Sequence, residues 1–395
     1  MRAAIEAANA SVGPHTIAFN IPGAGVHTIQ PVTPLPAIVR ADVVVDGYTQ
    51  PGASANSSAT GTNAELRIEL RGSVSGGVGL TIDADNVTVR GLVINRFAPQ
   101  IQIGTVNSAP QGVTIEGCFI GTDPSGTLDR SDSIGVRVLS GSGHRVGGTT
   151  LAARNLISGN SFGVQAIGAL SSGGTVQGNL VGTAADGVLA LGNGFGIIID
   201  NNASGWVIGG GGPGRNRIAF NGTGIVLRGE SSQARINANH IHDNNGLGID
   251  LVADGNLPDG VTPNDPDDAD TGPNGLQNFP VLGSARRSSG SLHVTGFLDR
   301  PAGIGLIVYL LDWYVSSACD PSGHGEGEEP IATTVFPTAS GSDESFGFSL
   351  PDAAPVGSFI TATATRNSTN ETSEFSACIV VADGDAVFGN GFEEA

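Results

Sequence analysis

Lysine is absent. All 18 basic residues, from Arg2 to Arg366, are arginines, which excludes Schiff bases, phosphate-binding loops and lysine-based proton abstraction. Charged residues make up 14% of the chain and aromatics 5%, and no 18 consecutive apolar residues occur to span a bilayer as a helix. With 37 acidic residues against the 18 arginines, the formal charge is −19 and the pI near 4.5. That balance argues against nucleic acid and against anionic membrane as partners, because phosphate recognition needs clustered cations. Cys118, Cys319 and Cys378 show no zinc spacing and leave an odd thiol after any pairing. What is abundant is glycine, 61 of 395 residues, roughly twice ordinary usage. Together with 39% hydrophobic residues, this points to a folded chain of strands and turns rather than a helical enzyme.

The chain repeats itself. Gly117-Cys118-Phe119-Ile120-Gly121-Thr122 matches Gly178-Asn179-Leu180-Val181-Gly182-Thr183 at an offset of 61 residues. Asn155 and Asn216, Ile134-Gly135-Val136 and Phe195-Gly196-Ile197, and Phe162-Gly163-Val164 and Thr223-Gly224-Ile225 share that offset. Asn155, Asn179, Asn216 and Asn239 follow at steps of 24, 37 and 23, so each period holds a short and a long turn. The extra length falls in loops at 121–133 and 182–194. Strands of a few residues, Gly/Asn corners and no room for crossover helices predict a right-handed parallel β-helix, an all-β solenoid. About eight or nine turns are expected between Val43 and Leu251.

Period-two alternation then assigns faces. Val136, Val164, Ile197, Ile225 and Ile249 point inward. Arg137, Gln165, Ile198, Val226 and Asp250 point outward, and Asp200 and Arg228 pair on neighbouring turns. The four asparagines share one corner, where each amide bonds the backbone and its own copy on the next turn. Cys118 occupies the same slot and reads as a buried stand-in rather than a reactive thiol.

Four segments follow: 1–257, the coil with a short N-terminal capping helix from Arg2; 258–278, an acidic linker; 279–383, an antiparallel β-sandwich of Ig-like kind; and 384–395, a tail. Ser291–Phe297 and Ser358–Thr365 are period-two strands of the third segment. A Cys319–Cys378 bridge is expected if the protein is exported. Met1 is followed by no apolar signal stretch, so a leader is expected to be absent or removed.

Arg2-Ala3-Ala4-Ile5-Glu6-Ala7-Ala8-Asn9, Thr16-Ile17-Ala18-Phe19-Asn20-Ile21-Pro22-Gly23 and Asp46-Gly47-Tyr48-Thr49-Gln50-Pro51-Gly52 resemble the exported bacterial right-handed parallel β-helix proteins that carry a CSLREA-type N-terminal motif. Met1 stands at that motif's leucine and Ala3 at its glutamate, and the cysteine is missing, as in a chain trimmed inside the motif. Ala318–Gly327 and Thr372–Cys378 are similar to the C-terminal modules of the same proteins, and Val387–Glu393 resembles a short terminal motif of exported proteins in some Gram-negative bacteria. The resemblance implies the fold and a secreted or cell-surface location. It implies no activity.

Asp265, Asp267, Asp268 and Asp270, with amide oxygens at Asn264 and Asn274 around Gly272, offer hard oxygen ligands of the kind calcium takes, against the reading of a solvated acidic linker. Arg217, His240, His242 and Asp243 fall together on the last turns, a set suited to acid/base work or uronate binding, or simply a polar sheet face. Asp123, Asp129, Asp132 and Asp186, in the long loops, could hydrolyse a glycoside only at the right separation, and read more simply as turn formers. Two functions are weighed: a non-catalytic scaffold or adhesin binding a polysaccharide or cell-surface glycan, and a polysaccharide lyase or glycoside hydrolase working in the groove along the stacked strands.

Overall fold

The computed structural model describes residues 1–73, 77–131, 133–230, 232–252, 258, 260–339 and 343–384. Asp132, Asp254 to Asn256 and the terminal motif at 387–393 lie outside them. The chain is mostly β, with one α-helix, Arg2–Ala10. Its first part forms three parallel sheets, consistent with a parallel β-helix. One sheet runs from His15–Ala18 to Ala234–Asn237 and a second from His27–Ile29 to His240–His242, each with eight strands; a third runs from Leu80–Ile82 to Ile249–Val252 with seven. Eight strands at ~4.8 Å spacing make a stack about 34 Å long. Parallel pairing begins at His15, earlier than the Val43 start expected from the repeats.

The predicted inward face holds, whereas Gln165, Ile198, Val226 and Asp250, assigned to the outward side, are covered as well, Ile198 and Val226 in a cluster with Phe162 and Phe195. Val136, Val164, Ile197, Ile225 and Ile249 are register partners in successive strands and fully or almost fully buried. Val45, Val89, Ile115, Val146 and Val176 stack the same way in the first sheet, so one aliphatic column per sheet fills the bore. Asp200 and Arg228 pair as expected, Arg228 Nε donating to Asp200 Oδ1 at 2.8 Å. The carboxylate is 4% exposed, so this is a covered pair rather than the surface pair the alternation suggested.

Asn155, Asn179, Asn216 and Asn239 form a continuous ladder. Each Nδ2 donates to the Oδ1 of the next, at 3.0, 3.0 and 2.9 Å, and the Oδ1 atoms of Asn155, Asn216 and Asn239 also accept the backbone N–H of the residue below. Cys118 stands at its foot, its N–H donating to Asn155 Oδ1, and burial pushes its thiol up to about 12. A second ladder, which the sequence reading missed, climbs through Asn160, Asn193, Asn221 and Asn244 and ends on a carboxylate, Asn244 Nδ2 donating to Glu326 Oε1 at 2.8 Å. Gly121 and Gly182, 61 residues apart, turn beside it at φ +95° and +92°. A Cβ on either would lie 2.3 or 2.1 Å from a carbonyl oxygen of the next turn, which is why both copies keep glycine.

Residues from Val281 on form one mixed sheet, ordered Glu329–Thr338, Ile307–Ser316, Phe359–Arg366, Ile379–Asp383, Val281–Ser288, Ser291–Asp299 and Asp343–Pro351, with Glu371–Thr372 beside the third of these. It is not purely antiparallel, since Val281–Ser288 and Ile379–Asp383 run parallel. Phe336 and Phe346, from strands at opposite ends of that order, lie 5.5 Å apart between ring centroids, so the sheet curls around a single core with Trp313. Cys319 and Cys378 form the disulfide.

This region, with Asn274 just before it, closes the coil. The last strands of stacked sheets present unpaired N–H groups to whatever lies beyond them. Ala234 N–H donates to Asn274 Oδ1, Ile236 N–H to Thr372 Oγ1, Ile241 N–H to the Gly327 carbonyl and Leu251 N–H to Glu374 Oε1, at 2.7–2.9 Å. At the other end the helix Arg2–Ala10 buries Ile5 and Ala8 over the start of the bore.

Candidate functional site

The outward side of the second sheet carries one row of register partners: Val93, Phe119, Leu156, Leu180, Arg217 and His240. Four apolar residues give way to two polar ones. Over the apolar part lies a strap, residues 51–66, which packs Leu66 and Ala64 on Phe119 and Leu156. Asn56 Nδ2 donates to the Leu151 carbonyl, and Thr62 N–H to that of Ala185. Arg154 clasps the strap, its Nη1 donating to the carbonyls of Ser58, Ala59 and Gly61 and its Nε to that of Gly178. Gly61, at φ +61°, passes so close to the loop at Asp186 that a Cβ would lie 2.5 Å from its carbonyl oxygen.

Where the strap ends, a recess of about 260 Å³ opens. Leu180, Arg217 and His240 line it from the row, Ala59 to Gly61 from the strap, Leu151 and Arg154 from one turn, and Gly212, Pro213 and Arg215 from the next. Three guanidinium groups therefore share one recess in a protein of formal charge −19. The carboxylate near them is Glu329, half exposed, 3.3 Å from Arg215 Nη1 and 3.3 Å from His240 Nδ1. Among the described residues neither Arg154 nor Arg217 has a carboxylate within ion-pair distance. Burial first, and Arg217 second, weaken the hold of Arg154 on its proton.

All four residues singled out on the last turns belong to this neighbourhood. Arg217 and His240 are register partners, as expected, and Arg217 Nη1 lies 3.2 Å from His242 Nε2. His242 Nδ1 lies 2.8 Å from Asp243 Oδ2. A carboxylate only accepts, so Nδ1 donates to Asp243, and Nε2 of the neutral ring accepts from Arg217. Asp243 and His242 therefore orient Arg217 from behind, outside the recess lining, and His242 has no ring nitrogen left for a substrate. His240 differs. Its Nδ1 lies 3.1 Å from the Glu328 carbonyl, which fixes the proton on Nδ1 and leaves Nε2 as the basic atom. Burial above all, with Arg217 and Arg215 adding, lowers its pKa against the pull of Glu329.

Arg154, Arg215 and the strap escaped the sequence reading. Arg154-Asn155 and Arg215-Asn216 are a repeated dipeptide at the 61-residue offset, so two of the three cations were open to discovery. The strap was not, since Gly61 meets Arg154 across 93 residues.

The acidic segment differs from its expected form. It is docked rather than a solvated linker, and the carboxylate oxygens of Asp265 and Asp268 point at the backbone. Asp265 accepts the N–H groups of Ala269 and Asp270, and Asp268 that of Asn278. Asp267 is exposed, its N–H donating to Asp299. Asn264 is consumed by both backbone groups of Phe279, and Asn274 is buried under the last strand of the first sheet, bonded to Ala234 and Thr372. The two amides proposed as calcium ligands thus have other work, and among the described residues no three His, Cys, Asp or Glu side chains are placed to hold a metal. In the same segment Asp270 Oδ1 is buried without a hydrogen-bond partner. Burial, then the neighbouring aspartates, pushes Asp268 up to about 7 and Asp270 up to about 6.

Asp123 and Asp186 are turn formers, as read. Asp123 Oδ1 accepts the N–H groups of Thr127 and Leu128, and Asp186 Oδ1 those of Val188 and Leu189. Asp129 likewise accepts from Ser131 N–H. No protein-family model matches the chain, and no curated protein sequence matches it.

Proposed function

We propose that the protein is a secreted or cell-surface scaffold that binds an extended polysaccharide or cell-surface glycan without transforming it. The observation that carries this reading is the recess beside the strap, where Arg217 and His240, at the end of an otherwise apolar row, and Arg215 beside them are each partly exposed to the opening. A second, wider recess of about 600 Å³, lined by Phe119, Arg67 and Asp123, lies on the other side of the strap along the same sheet face, so an extended chain has more than one place to rest. Against catalysis, Asp123, Asp129 and Asp186 are engaged in turns, and His242 is held between Asp243 and Arg217. The Cys319–Cys378 bridge agrees with export, since oxidising compartments are where such bonds persist. In the same reading the coil is right-handed, as parallel crossovers almost always are, the curled C-terminal sheet is a sandwich of the extracellular type, and calcium has no assigned part.

The alternative is a polysaccharide-degrading enzyme, and one observation favours it: His240 offers a basic Nε2 beside Arg217, the pair an elimination next to a uronate carboxylate requires. A panel of uronic-acid and neutral polysaccharides separates the two. The scaffold reading expects retention on at least one immobilised polymer and no release of unsaturated or reducing ends. Release that disappears in His240→Ala would replace it with the enzyme.

A further inference from the structure

The 61-residue period places two copies of one local structure side by side, and the chain fills only one of them. In the first copy the 3-10 turn Leu151–Ala153 leads into Arg154-Asn155. In the second, the 3-10 turn Gly212–Gly214 leads into Arg215-Asn216. Asn155 and Asn216 occupy the same ladder. Arg154 spends its guanidinium on three carbonyl oxygens of the strap. Arg215, one period on, is gripped by no strap carbonyl among the described residues. Its partner is the half-exposed Glu329, and its Nε is buried without a hydrogen bond. The first copy thus displays an occupied form of the site, in which one arginine nitrogen gathers the carbonyl oxygens of a bent segment; the second displays the arginine of the same slot facing an open recess.

The two copies differ in charge. The residue 61 positions before Arg217 is Leu156, and its neighbour in the row is Leu180. Where the occupied copy has an apolar floor under neutral carbonyls, the open one has a second arginine, oriented by His242 and Asp243. A neutral occupant does not require that exchange. Like charges held together in partly dry surroundings repel each other, and an anion offsets the repulsion while accepting paired N–H bonds.

We propose that the recess is a subsite for one anionic group, carboxylate or sulfate, of an acidic glycan whose chain continues the path of the strap along the second sheet. This rests on the glycan-binding reading above and names its ligand class. Arg217 supplies paired donors to the anion, Arg215 a further donor in exchange for Glu329, and Leu180 the apolar floor beneath the sugar ring. Arg154 stays with the strap.

The test is isothermal titration of the full chain with hexamers of galacturonate, with a sulfated glycosaminoglycan hexamer and with a neutral glucan hexamer, alongside thermal melts with inorganic sulfate. The variants are Arg217→Leu, which writes the residue of the other copy into the row and so suits the fold, and Arg215→Gln. The expected result is binding of an acidic hexamer, weakened at least about tenfold by either substitution and reduced by salt, with no binding of the glucan. Whether galacturonate or the sulfated hexamer binds more tightly decides between carboxylate and sulfate. Acidic binding unchanged in both variants, or equal binding of the neutral glucan, overturns the subsite and leaves glycan binding standing. If no hexamer binds but sulfate raises the melting temperature of the wild type more than that of Arg217→Leu, the anion subsite stands and the glycan reading falls. If sulfate acts equally on both and no hexamer binds, both fall.

Discussion

The coil and the C-terminal sheet meet the same difficulty, the unpaired edge, by opposite means. The coil stacks strand on strand in parallel, repeating each environment, and so leaves open ends that other segments must close: the helix Arg2–Ala10 at one end, and Asn274, Gly327, Thr372 and Glu374 at the other. The C-terminal sheet curls until its two outermost strands share Phe336 and Phe346, and its disulfide adds a covalent tie. In the coil, stability is a sum over neighbouring turns; in the C-terminal sheet it depends on contacts between residues far apart in sequence. Damage to the coil should therefore stay near its site, whereas the junction should respond to changes in either region.

Truncation of Ile197, fully buried in the third-sheet column, is the largest of these perturbations. Ile197→Ala should cost about 3 kcal/mol, the usual loss for an aliphatic side chain in a close-packed core. Hydrogen exchange should accelerate in the strands Phe162–Ile167 and Thr223–Arg228, with little change in Ser291–Asp299. Equal acceleration in both regions would break the contrast drawn between them.

Asn216→Ala should cost about 2 kcal/mol, because it removes one rung and leaves Asn179 Nδ2 and Asn239 Oδ1 short of partners. Chemical denaturation measures it, and a loss below half of that would reduce the ladder to decoration.

The junction carries a pH dependence. Burial pushes Glu326, which ends the second ladder, up to about 7 from 4.5. The folded protein holds that proton more tightly than the unfolded chain does, so the contribution to stability is complete below about pH 4.5 and is lost as the pH rises through about 7. The melting temperature should be higher at pH 5 than at pH 7.5, and Glu326→Gln should narrow the gap. Asp312, raised to about 6, and Asp268 act in the same direction, so the gap should not vanish. A melting temperature that rises from pH 5 to 7.5 contradicts this.

Smallest of all should be the effect of a chelator. With Asn264 and Asn274 engaged elsewhere, excess EDTA should leave the melting temperature unchanged. A clear drop, restored by calcium, would return the acidic segment to the list of metal sites.

The sequence disclosed most where the structure repeats. Val136, Val164, Ile197 and Ile225 were legible as a column because each turn imposes the same alternation on the same slot, and Asn155 to Asn239 because each amide serves its own copy. The second ladder was equally periodic, Asn160 and Asn221 lying 61 apart, but it hid among glycines with no aliphatic neighbours to mark it. The acidic segment was open to more than one reading because closely spaced aspartates look alike in sequence whether their oxygens converge on an ion or, as those of Asp265 and Asp268 do, turn back to the backbone. Arg217 and His240 were found because the register of adjacent turns pairs them. The recess around them was not, since its wall is a strap from the second turn of the coil, and no local pattern announces where such a strap stops.

The most direct measurement is therefore equilibrium binding of galacturonate, sulfated and neutral hexamers to the wild-type protein, with release of unsaturated and reducing ends assayed in the same samples. The account predicts that an acidic hexamer binds, that the neutral one does not, and that no ends appear. Binding indifferent to charge, or a steady release of unsaturated ends, would contradict it.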